Sequence, residues 1–91
     1  MPSSMRVPEI SRFHGIVIGM FYQEHGVAHF HAVYGTYEIS VEIESAYVRG
    51  KFPTRLERLV LEWSALHKAE LLDNWSLARQ GRPLSRIAPL E

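Results

Sequence analysis

The 91-residue chain contains no cysteine, and ten acidic side chains cancel ten basic ones to leave a formal net charge of zero. Without thiols there is no disulfide framework and no thiolate catalysis, so any metal must be held by histidine and carboxylate. Without a basic surplus, non-specific attraction to nucleic acid lacks its usual source. Basic side chains do gather locally, at Arg49, Lys51, Arg55 and Arg58, and again at Arg79, Arg82 and Arg86. Long apolar runs are also missing. The longest, within residues 16–22, falls far short of the about 20 residues that cross a bilayer. The opening MPSSMRVPEI holds no apolar signal region. A cytoplasmic protein without a membrane partner is the expectation.

What is present suits one folded domain. Hydrophobic residues make up 46% and aromatics 11%, and this length supports a single modest core. Residues 1–12, with two prolines and three serines, read as a flexible lead-in to a domain over 13–91. GIVIGMFY at 15–22 is β-branched and aromatic and reads as a first strand. Residues 28–34 and 37–43 follow as two more, joined by Gly35-Thr36, whose leading glycine suits a two-residue type II′ hairpin. A short fourth strand is expected at 47–51. The hairpin predicts a register in which Ala28, Phe30, Ala32 and Tyr34 oppose Ile43, Val41, Ile39 and Tyr37 on one apolar face. The other face then opposes Val33 with Glu38, His31 with Ser40 and His29 with Glu42.

Pro53 and Thr54 mark a helix start, with Thr54 and Glu57 spaced as a capping box. Leu56, Leu59, Val60, Trp63 and Leu66 make one stripe. Leu71, Leu72, Trp75 and Ala78 make a second, rotated by about 100°, so the helical segment over 53–80 is kinked near 67–69 or split in two. Gly81 and Pro83 end it, and 81–91 reads as an extended tail. The fold class is α+β: a three- to four-stranded antiparallel meander packed against a long, kinked or split C-terminal helix.

Three segments, EISRFHGIVIGMFYQEHGVAHFHAVYG, LVLEWSALHKAELLDNW and RPLSRIAPL, together resemble a bacterial family, domain of unknown function 4160, over about 8–90. The resemblance implies a His-x-His core, a helix with a Glu-Leu…Trp pattern, and a small neighbouring protein in a two-gene, toxin–antitoxin-like arrangement. It implies no established reaction. Val27-Ala28 replaces the family's Pro-Pro pair, which loses a rigid lead into the histidine strand. Val7-Pro8 stands where the family begins with Met-Pro, so residues 1–6 are expected to precede the native start.

Function rests on HGVAHFHAVYG, which puts three of the five histidines within seven positions. One reading is a metal site: His29 and His31 lie side by side on a strand face, with His25 or Glu42 as third ligand, suited to zinc or nickel. Glu42 could equally orient His29 by accepting its other N–H. A second reading is hydrolysis, including a metal-free ribonuclease in which the two imidazoles form an acid–base pair. Glu42 would then hold the tautomer, and Tyr22 or Arg49 would steady a phosphate. A third, the leading one on sequence, is a binding component that docks a protein partner or RNA through this face. Arg49, Trp75, Arg79, Arg82 and Arg86 would assist it, and a homodimer is compatible. The plainest alternative is a solvated strand face with a weak surface pair.

Overall fold

A computed structural model describes residues 7–91; the expectation for residues 1–6 lies outside the described residues. Five antiparallel strands run in chain order across one sheet: β1 (Glu9–Phe13), β2 (Ile16–Gly19), β3 (His29–Tyr34), β4 (Tyr37–Glu42) and β5 (Val48–Lys51). Two helices follow, α1 (Thr54–Leu66) and α2 (Lys68–Arg79). The class is α+β as expected, with more strands than the three or four read from sequence.

The additional strand is β1, within and just beyond the segment read as a lead-in. Its register with β2 shifts between Glu9 and Ser11, so Ile10 and Ser11 are both buried. That bulge removes the period-two alternation by which a strand is recognised. The link to β2 is a tight turn in which His14 and Gly15 both take positive φ, 51° and 79°.

The β3–β4 register matches the alternation argument pair for pair, from His29 opposite Glu42 to Tyr34 opposite Tyr37. Gly35 has φ 59° while Thr36 is not left-handed, as a II′ turn requires. The apolar face carries Ile10, Ile18, Phe30, Ala32, Ile39 and Val41, all buried. α1 lays Trp63 on this face, its ring 5.8 Å from Phe30 and 5.4 Å from Phe13.

Two details of the helical segment depart from expectation, its N-terminal cap and Leu66, while the split falls within the region expected for it. Thr54 is the first helical residue rather than the cap. Pro53 takes the cap position at φ −57°, ψ 132°, and no side chain caps the helix. The Glu57 N–H bonds the Pro53 carbonyl at 2.9 Å, so the capping box does not form. The segment is split at His67 (φ −118°, ψ 27°), which rotates the second stripe and buries Leu71, Trp75 and Ala78. Leu66, assigned to the first stripe, is 67% exposed at the last residue of α1, while Ser64 is buried beside Trp63.

The tail is extended and anchored to the domain. Buried Asn74 donates to the Ser85 carbonyl and accepts from the Ser85 N–H, each at 2.8 Å. Trp63 Nε1 donates to the Ala88 carbonyl at 2.8 Å, and the Ile87 N–H bonds Ile10 O on β1 at 2.8 Å. Among the described residues no helix is long and apolar enough to cross a membrane.

Candidate metal centre

β3 places His29 and His31 on the face opposite the core, two residues apart and with ring centroids 5.1 Å apart. Both side chains are mostly covered, at 17% and 12% exposure. Phe21 packs edge-on against His31 at 4.9 Å, and buried Trp75 lies 5.2 Å from His29. The two imidazoles are thus held between one aromatic ring from the segment after β2 and one from α2. Rings so packed keep one orientation, which a binding site needs.

The carboxylate that meets them is Glu24. Its Oε1 lies 3.0 Å from His29 Nε2 and 3.2 Å from His31 Nε2. The other ring nitrogens are occupied elsewhere. His29 Nδ1 lies 2.7 Å from the Val27 carbonyl, which can only accept, so Nδ1 carries a proton and donates it. His31 Nδ1 faces Glu38 Oε2 at 3.5 Å. Both rings therefore turn Nε2 toward one point; a backbone hydrogen bond holds His29 from behind, and the Glu38 carboxylate stands behind His31. Metal-ligating histidines are oriented in this way.

One ligand atom from each of Glu24, His29 and His31 lies within 4.8 Å of the others. With bonds of about 2.1 Å, tetrahedral ligands sit about 3.4 Å apart. The two nitrogen–oxygen separations of 3.0 and 3.2 Å are close to that edge, so small side-chain adjustments would admit an ion. Two histidines and one carboxylate make a ligand set for zinc, nickel or iron, with positions left over.

Glu42 behaves differently from the sequence reading. It is His29's cross-strand partner, yet its Oε1 accepts from Ser45 Oγ at 2.7 Å and its Oε2 lies 3.7 Å from Arg49. It shares a cleft of about 330 Å³ with the triad and Arg49 without joining the cluster. His25 is exposed at the rim of this cleft and outside the cluster as well.

The remaining candidates are dispersed. Arg79 lines a neighbouring groove with Gln23, Glu24 and His25. Arg82 contacts Gln80 at 3.5 Å, and Arg86 pairs with Glu9 at 3.1 Å. Trp75 is 9% exposed against His29, which makes it a wall of the histidine site rather than an open surface.

Glu24 and Glu38 are the residues that sequence reasoning passed over. Glu38 could have been found, since it flanks the His31–Ser40 pair on the same face by register. Glu24 gives no such signal. It sits in the β2–β3 connection, where Gln23 (φ 55°) and Gly26 (φ 94°) bend the chain and the Gln23 N–H bonds Ala78 O of α2 at 3.1 Å.

A family model described as Domain of unknown function (DUF4160) matches residues 15–76, more than half of the chain. The chain belongs to this family. The matched span runs from β2 to Trp75 and takes in the whole Glu24–His29–His31 cluster and Arg49. β1 and the C-terminal tail lie outside it. No curated protein and no solved structure matches the chain.

Proposed function

We propose that this family member is a metal-dependent domain that holds one divalent transition ion, zinc or nickel in the first instance, through Glu24, His29 and His31. The single observation behind this reading is the convergence of two Nε2 atoms on one carboxylate oxygen, with each Nδ1 turned to an oxygen behind it. When bound, such an ion supplies Lewis-acid chemistry to a ligand entering the cleft, which favours the hydrolase alternative over an acid–base pair without metal. In the latter, Nε2 of each ring would need room for a substrate, and Glu24 occupies that room.

Elemental analysis of untagged protein tests the reading, before and after incubation with zinc or nickel. Near-stoichiometric metal in the wild type, lost in the His29→Ala/His31→Ala variant, is the expected result. A wild type that takes up neither ion removes the proposal.

Docking of a small protein partner on the same face has one observation in its favour. Val27 and Tyr47, 59% and 54% exposed, stand beside the cleft, Tyr47 beneath the Arg49 guanidinium. This reading expects the double histidine variant to lose the partner, whereas the metal reading expects it to lose the ion. RNA draws less support, because Arg86 is paired with Glu9 and the chain carries no basic surplus.

A further inference from the structure

We propose that the ligand taken up beside the triad is a tetrahedral phosphoryl-type oxyanion, a phosphate monoester or phosphonate, gripped on its far side by Arg49. The inference rests on the metal reading and names its substrate class.

Register brings the three residues of the proposed site into line. His31 opposes Ser40, and Ser40 opposes Arg49, so the three residues form one row across β3, β4 and β5. Adjacent strands lie about 4.8 Å apart, which sets His31 and Arg49 about 10 Å apart at the backbone. Between two long side chains the row holds a serine, whose short side chain leaves a trough with a hydroxyl in its floor. The cleft over the triad and a second cavity of about 410 Å³ share His31, Ser40 and Arg49 as lining. The trough therefore continues from the metal ligands to the guanidinium.

Arg49 is set up to receive an anion. Its guanidinium lies 5.0 Å from the centre of the Tyr47 ring, a support that orients the planar group and leaves its N–H edge for a ligand. Its nearest carboxylate contact, to Glu42, is 3.7 Å, longer than a hydrogen bond. Glu42 is itself tied to Ser45.

The number of oxygens selects the ligand. A guanidinium fork engages two oxygens of an oxyanion side by side. A carboxylate gripped in this way has only the same two oxygens, both directed at the fork, to share with a metal. A tetrahedral phosphoryl group presents a third, directed away from the fork and toward the Nε2 atoms of His29 and His31. The Ser40 hydroxyl can donate to the same group from below. Metal and arginine on opposite sides of one phosphoryl group is a recurring way to neutralise its charge.

The test uses the full chain loaded with cobalt(II), whose visible absorption reports its ligands, titrated with phenylphosphonate. The expected result is a saturable change in the cobalt spectrum that equal concentrations of acetate do not produce. Arg49→Ala should keep the cobalt spectrum of the resting protein and weaken phenylphosphonate by about tenfold or more, the scale of losing a charge-assisted pair. Ser40→Leu, which fills the trough, should abolish the change with cobalt still bound. If cobalt binds but phenylphosphonate leaves the spectrum unmoved, or acetate acts equally well, the oxyanion proposal is overturned and the metal centre stands. Full phenylphosphonate affinity in Arg49→Ala would overturn it in the same way. Failure to bind cobalt at all would overturn both.

Discussion

Glu24 and Glu42 are both glutamates close to His29, and their geometry gives them opposite roles. Glu24 Oε1 sits between the two imidazoles, whereas Glu42 is held by Ser45 and turned toward Arg49. Cross-strand pairing puts Cβ atoms within reach of each other, but the rotamer then depends on which donor is nearer. At Glu42 the Ser45 hydroxyl, three residues on, wins over the imidazole across the strand. Glu24→Gln should therefore lower zinc affinity by about 100-fold, the upper end of what even an orienting partner contributes. Glu42→Gln should leave it near the wild-type value. Competition with a colorimetric zinc chelator measures both, and equal losses in the two variants would place the carboxylate ligand wrongly.

At the scale of elements, the sheet depends on two conformations that alternation does not reveal. One is the bulge that pairs β1 with β2 while burying consecutive residues. The other is Gly50, in the strand that carries Arg49. It has φ 103°, and a Cβ there would stand 2.6 Å from Glu38 O of β4. Gly50→Ala combines a left-handed strain with a clash against backbone, so it should destabilise the domain by about 1–3 kcal/mol. Urea unfolding of the variant measures the loss, and a midpoint equal to wild type would show that β5 can be repaired locally. The His67 break is a further element-scale event. It has neither glycine nor proline to announce it, and its effect is to give each helix a separate buried stripe.

Across the whole molecule, the C-terminal tail is joined to β1. Ile87 bonds Ile10, and Glu9 receives Arg12 at 2.8 Å and Arg86 at 3.1 Å. Chiefly through the Arg12 hydrogen bond, with Arg86 adding to it, the Glu9 carboxyl is lowered from 4.5 to about 2. A carboxyl depressed by folding stabilises the fold above its unfolded value, and that contribution is lost as pH falls through its folded value. Wild-type stability should thus decline between about pH 4.5 and pH 2 partly on account of Glu9. Glu9→Gln should be less stable at neutral pH and show a flatter decline across that window. Urea midpoints followed against pH check this, and parallel curves for the two proteins would remove Glu9 from the acid response. The contribution is modest, because the Glu9 side chain is 27% exposed and solvent screens the pair.

The β3–β4 register, the opposite faces for the core and the histidines, and the change of stripe along the helices can all be read from the chain. Each is a local periodicity, and period two or 3.6 survives in any fold that buries one side. Which carboxylate meets His29 and His31 depends instead on the folded arrangement. Glu24 lies in a connection with no period of its own, and its place is set by the bend at Gln23 and Gly26 and by the hydrogen bond from Gln23 to α2. Trp75 reaches the same site by a different route. It is far from His29 in the chain, and it arrives there because the break at His67 redirects α2.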